Sequence, residues 1–164
     1  KKFEKELIKL KTFNRKKDKM DWHDGFGLNF KITDMQSALG ISQFSTLPKR
    51  IESKRKIHSL FQKINSEYFK IGSFLEHEVP WFIDLFSVTK KDLNKLKALL
   101  SKNNIETRLS YPALSKQKYL KNLLKQDLSF SEKIHEKILW LPSSVDLDEK
   151  SISRIVKVIN KYES

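Results

Sequence analysis

The side chains best suited to meeting an anion fall in one stretch, GFGLNFKITDMQSALGISQ, from Gly25 to Gln43. Asn29 offers an amide NH₂ that donates to an anion without adding charge. Lys31 adds a point cation two residues on. Thr33 and Gln36 have the S/T-x-x-E/Q spacing of a capping box, which predicts Thr33 as the N-cap of a helix. Met35, Ala38, Leu39, Ile41 and Phe44 then recur at helical intervals. A helix N-terminus attracts anions because its N–H groups are unpaired and its dipole adds partial positive charge. Spacing alone leaves two readings open. The stretch is either a loop presented to an anion, or a capped helix behind a surface loop in which Asn29 takes a left-handed turn beside Gly27.

A second cluster lies in IETRLSYPALSKQ, Ile105 to Gln117. Arg108 is one of only five arginines among 33 basic residues and sits at an apolar-flanked strand end, which suits a substrate contact or an ion pair fixing the loop. Tyr111 is suited to stacking, to hydrogen bonding or to anchoring the loop. Elsewhere the familiar constellations are absent: there is no G-x-S-x-G elbow, no glycine-rich phosphate loop and no H-E-x-x-H. The four histidines, His23, His58, His77 and His135, lack ligand spacing and read as surface or helix-face residues, so no metal site is expected. Trp81 and Trp140 read as core or domain-interface aromatics.

The elements that must position these residues follow from the pattern. A chain of 164 residues suits one domain, or a small domain plus part of another. The net charge of +13 raises nucleic-acid binding, but 28 of the 33 basic residues are lysines scattered over every helix. Base readout leans on the arginine fork, so the composition argues against specific nucleic-acid readout. With no cysteine there is no disulfide framework, and no apolar run reaches the roughly 18 residues of a membrane span, so no membrane partner is expected. Opening on Lys-Lys without an initiator methionine, the sequence reads as cut from something longer.

Periodicity predicts a helix over 2–13, a charged connector over 15–24, the capped helix from Thr33, and a second helix from Pro48 to about Tyr68 with Lys54, Arg55 and Lys56 exposed or snorkelling. Trp81 to Val88 reads as a strand, followed by a helix from Thr89 with Asp92 in capping-box position. A short strand spans Ile105 to Leu109, suggesting a βα(β) unit. Ala113 to Leu124 and Phe130 to Leu139 read as helices, and Trp140-Leu141-Pro142 as an extended end or edge strand. The last helix buries Ile152, Ile155, Val156, Ile159 and Tyr162. The fold class is α/β (α+β in this portion), helix-dominant with a small sheet. Residues 1–46 would be the tail of a large domain, 47–69 a linking helix and 70–164 a small C-terminal domain.

The Gly25–Gln43 stretch resembles the G-x-N-[YF]-[RK]-[ML]-[TS]-D-x-Q-[AS]-A-[LI]-G-x-x-Q signature of the DegT/DnrJ/EryC1/StrS family of sugar aminotransferases. Val79 to Phe82, Ile105 to Gln117 and Ile138 to Ser144 fit that family's later segments in order. The resemblance implies the C-terminal half of a pyridoxal 5'-phosphate (PLP) enzyme of the aspartate-aminotransferase fold (PLP fold type I). Such enzymes are cytoplasmic homodimers that build each active site from both subunits and move an amino group from glutamate to a nucleotide-diphosphate keto-sugar for polysaccharide precursors. By the same resemblance, Asn29 would bond the phosphate of PLP in the neighbouring subunit and Lys31 would meet the substrate's diphosphate. Arg108, Tyr111 and Ser115 would border the active-site mouth as substrate contacts. Ser115 stands where many members carry histidine, which changes the expected specificity.

The family's PLP-bearing lysine, the acidic partner of the pyridine nitrogen and the ring-stacking residue all precede this stretch of sequence. No catalytic residue is therefore expected in this chain, and alone it should not transaminate. Three other roles stay open: a non-catalytic partner chain, a sugar dehydratase of the same family with histidine in place of the lysine, and a basic nucleic-acid module.

Overall fold

In the computed structural model, which describes residues 2–15, 23–116 and 126–163, the chain forms two units, Lys1–Leu47 and Pro48–Ser164. The first holds α1 (Lys2–Lys11) and α2 (Asp34–Phe44). Phe3, Leu7, Ile8 and Leu10 make the apolar stripe that periodicity predicts on α1, yet all four are exposed. The helix stops at Lys11, two residues short of the predicted end, because Phe13 and Asn14 turn into left-handed backbone with φ of 59° and 53°. Gly27 closes against this turn. A Cβ there would collide with the backbone of Phe13 and Asn14, so only glycine fits. The capping box forms as its spacing requires: Gln36 N donates to Thr33 Oγ1 at 3.2 Å and Thr33 N to Gln36 Oε1 at 2.9 Å. Behind that cap, α2 buries none of its side chains.

The second unit takes in α3 (Leu47–Phe61) from its second residue, Pro48. This helix is shorter than its predicted run to Tyr68, because the apolar residues after Phe61 serve other ends. Phe69–Ile71 forms β1 and pairs with β2 (Ile83–Ser87), and Asn65 N donates to Asn160 Oδ1 at 3.0 Å. Strand pairing here overrides a helical periodicity. After β2 come α4 (Lys90–Lys102), β3 (Arg108–Leu109), a 3₁₀ turn at Leu114–Lys116, α5 (Ser129–Ile134), β4 (Ile138–Leu141) and α6 (Glu149–Asn160). The helix predicted over Phe130 to Leu139 is thus cut short, and its last residues are strand. The helix predicted over Ala113 to Leu124 shows a 3₁₀ turn at its start, and its residues from 117 on lie outside the described ones.

The sheet order is β1-β2-β4-β3, with every neighbouring pair antiparallel. β2 and β3 therefore run in the same direction without touching, and β4 lies between them. The expected βα(β) unit is a split one, and β4 is an internal strand rather than the edge strand predicted. Ile83 and Leu85 face Leu141 and Leu139 across the β2–β4 ladder and are buried with them. This face joins Leu93, Leu96 and Leu100 of α4, Ile152, Ile155, Val156 and Ile159 of α6, and Ile57 and Phe61 of α3 in one core. Alternation sends Asp84, Phe86, Ile138, Trp140 and Arg108 to the opposite face.

Candidate functional site

The candidate residues of the first unit sit on a loop fixed by its backbone. Leu28 N donates to Leu10 O at 2.7 Å, Phe30 N to Lys11 O at 3.1 Å, and Phe13 N to Leu28 O at 3.1 Å. Asn29 bridges to Thr12 through the same ladder, and both Asn29 and Lys31 are exposed. The peptide is immobilised while the amide faces outward. A left-handed turn at Asn29 is not the arrangement found: the positive-φ residues here are Phe13 and Asn14.

In the second unit, the outward sheet face gathers Arg108, Tyr111 and Trp140. The Arg108 guanidinium lies 5.0 Å from the Tyr111 ring centroid and 5.7 Å from that of Trp140. Tyr111 meets Trp140 edge-on at 4.9 Å, and Phe82 stacks on Trp140 at 4.0 Å and 4°. Arg108 is thereby oriented by aromatic rings, and Tyr111 remains 60% exposed. Trp140 is buried as predicted. Trp81 is 77% exposed and lies outside the core of its own unit, because β2 begins only at Ile83 and leaves it on the preceding loop.

Beside this aromatic group is a cavity of about 600 Å³, walled by Leu114, Leu128, Ile134 and Ile138 and carrying Asp84, Ser110, Ser115, Ser131 and His135 among its polar residues. Ser110 Oγ is spent on His135 O at 2.8 Å. Ser115 Oγ and His135 Nε2 are buried without a hydrogen-bond partner. Burial pushes the Asp84 carboxyl up from the ordinary aspartate value, and the hydrogen bond from the Trp140 indole partly offsets this. Asp84 and His135 are the site residues that sequence reasoning missed. The available signal was a lone carboxylate at an alternating position of WFIDLFSV; for His135 no sequence signal existed.

Among the described residues, Lys54 is the lysine held below its ordinary pKa, by burial. A depressed lysine is the usual sign of a carbonyl-binding nucleophile. Here its Nζ donates to Trp81 O at 2.9 Å and also to Ser143 O, so it straps α3 to two loops. Its neighbours find partners too: Arg55 Nη2 donates to Glu76 O at 2.8 Å, and Lys56 Nζ pairs with Glu149 at 2.6 Å. Among the described residues no group of three His, Cys, Asp or Glu could hold a metal, and no helix is long and apolar enough to cross a membrane.

The family model of the DegT/DnrJ/EryC1/StrS aminotransferases matches residues 2–160. The chain belongs to this family. Among curated family relatives, GDP-perosamine synthase of Escherichia coli O157:H7 is 28% identical over 151 residues, covering 87% of this chain and 40% of the relative. GDP-perosamine synthase of Vibrio cholerae is 24% identical over 162 residues, covering 94% and 44%. Among solved structures, the Helicobacter pylori aminotransferase PseC, involved in the biosynthesis of pseudoaminic acid, superposes with a TM-score of 0.81 at 18% identity, covering 98% of this chain and 46% of that one. The aminotransferase TlmJ of Streptoalloteichus hindustanus gives 0.82 at 15%, covering 97% and 44%. These similarities show the fold, that of the C-terminal part of a PLP fold type I enzyme. The chain spans less than half the length of the relatives it matches.

Proposed function

We propose that this chain is the C-terminal portion of a PLP-dependent nucleotide-sugar aminotransferase. The whole enzyme would take an amino group from glutamate and deliver it to a keto-sugar carried on a nucleoside diphosphate, in the cytoplasm, for polysaccharide precursors. The observation that carries the reading is the family match over residues 2–160 joined to an exposed, backbone-pinned Asn29 in the family's loop motif.

The residues present fit PLP as a contributing half-site. When bound, the cofactor supplies the electron sink that lets a proton move at the amino-bearing carbon. Asn29 would donate its amide NH₂ to the phosphate of a cofactor held by the neighbouring subunit of a homodimer, without adding charge to the pocket. Lys31 offers a single cation to the substrate's diphosphate, with looser geometry than arginine would impose. Arg108, held over Tyr111 and Trp140, presents a planar fork at a fixed orientation, and Tyr111 is exposed beside it to meet substrate. Ser115 contributes a hydroxyl. No residue in the chain is assigned the proton transfer, since Lys54 is engaged in strapping. By this reading the family's lysine, in the preceding part of the protein, performs it.

The test uses the parent protein including the residues before Lys1. It should show the absorbance of bound PLP near the visible edge, abolished by borohydride, and a colourless, PLP-indifferent protein overturns the proposal. Asn29→Ala in that protein should weaken PLP retention by about 1.5–3 kcal/mol, the worth of a hydrogen bond to a charged group. Unchanged affinity would return Asn29 to a purely structural role.

A further inference from the structure

We infer that the cavity beneath Tyr111 is a subsite for an uncharged, hydroxyl-bearing ring of hexose size, with Ser115, His135 and Asp84 as its specificity-determining residues. Two buried polar atoms without partners, Ser115 Oγ and His135 Nε2, line the same cavity. A buried hydroxyl or imidazole left unpaired costs free energy, and two in one place are accounted for if a ligand supplies the missing bonds. Both groups suit a hydroxyl, since Ser115 donates or accepts and a neutral imidazole nitrogen does either according to its tautomer. Asp84, half-buried beside them with Trp140 as one partner, has a further oxygen to accept from a second hydroxyl.

The lining also tells against other occupants. Among the described residues no lysine or arginine lines the cavity, and the Asp84 carboxylate there repels phosphate, which tells against a diphosphate. Trp140 offers little free ring face to a flat base: Phe82 covers it from the β2 side, and the Arg108 guanidinium lies over it from the β3 side. The remaining walls, Leu114, Leu128, Ile134 and Ile138, are aliphatic and match the C–H faces of a saturated ring. The volume, about 600 Å³, accommodates one hexose with room for its linkage. That the ring is the substrate's sugar rests on the aminotransferase reading; that the cavity binds such a ring does not.

The test is ¹H–¹⁵N NMR of the His135 imidazole and the Trp140 indole in the whole 164-residue chain, titrated separately with GDP-mannose, free mannose and GDP. GDP-mannose and mannose should shift both resonances saturably, and GDP should leave them in place. Ser115→Ala should weaken GDP-mannose about fivefold, the loss of one neutral hydrogen bond. His135→Phe should abolish the shift of the indole while His135→Gln keeps part of it. Should His135→Phe fail to fold, Ser115→Ala and His135→Gln carry the decision. Equal shifts with GDP would assign the cavity to a nucleobase, and silence with all three ligands, or variants that bind like the native chain, would equally overturn the inference. A longer parent that binds PLP while this cavity ignores sugars removes only the subsite. Sugar binding without PLP binding removes only the enzymatic reading.

Discussion

The two units spend their apolar residues in opposite ways. In Pro48–Ser164, leucines and isoleucines from three helices and the sheet close over one another, and Phe61, Leu85, Leu96 and Ile159 are fully buried. In Lys1–Leu47, helices of comparable length bury nothing: Met35 is 83% exposed, and Phe26, Phe30, Ile41 and Phe44 are similarly bare. Composition does not distinguish the two. What differs is whether the complementary surface lies within the same unit. The first unit holds its shape by backbone bonds, a left-handed turn and a capping box; the second holds it by side-chain burial. In the proposed whole enzyme, the bare face of the first unit would be covered by the rest of the parent protein or by a second subunit.

This contrast can be broken by substitution. Phe61→Ala should cost about 3–5 kcal/mol in urea unfolding of the chain, because it empties a fully enclosed position. A cost below 1 kcal/mol would mean that the second unit is not held by its core. The next effect is pH dependence. Asp92 accepts from the Thr89 hydroxyl and, at 2.9 Å, from Tyr162, and these bonds hold its carboxyl below the ordinary 3.8. Its stabilisation is present above 3.8 and disappears as pH falls through the lowered value. Tyr162 is pushed up from 10.0 to about 12 by burial and by Asp92, so its contribution is intact below pH 10 and lost as pH rises through 12. Thermal melts of the second unit's signal should therefore fall at both extremes, in acid through Asp92 and in alkali through Tyr162. Tyr162→Phe should remove the alkaline fall and lower the stability between the extremes.

Smaller effects belong to the first unit. Thr33→Ala should destabilise α2 by about 1 kcal/mol, seen as faster amide exchange at Gln36 and Ser37 with the second unit unaffected. Met35→Ser should change the chain's unfolding free energy by less than about 0.5 kcal/mol. In the longer parent protein, the same change should weaken subunit association measurably. If Met35→Ser unfolds the isolated chain as Phe61→Ala does, the contrast between the units is wrong.

The capping signals were legible because they are local. Thr33 with Gln36, and Thr89 with Asp92, form the caps that their spacing requires. The buried positions of α6 also follow from the 3.6-residue period alone. The strand order was not legible. Ile138 to Leu141 is a uniformly apolar run, and periodicity cannot tell a strand buried on both sides from the end of a helix. The same ambiguity hid β1 behind the apolar residues after Phe61. Of the candidate site, Arg108 and Tyr111 were visible as a rare arginine and an aromatic in a turn. The aromatic face that orients Arg108 depends on Trp140 arriving opposite it, 32 positions later in the chain, and only the β3–β4 register reveals that.

The middle position of β4 also governs the order in which this chain can be made. β2 and β3 leave the ribosome with no strand to join them, and the ladder that unites them forms only once Ile138 to Leu141 has been synthesised. Contacts closing over so many residues form slowly. Until then, nascent β2 carries an unpaired edge beside apolar residues, the state most prone to pairing with a neighbouring chain. A stalled translation product ending at Asp127 should accordingly bind chaperones more strongly than one that reaches Ser164.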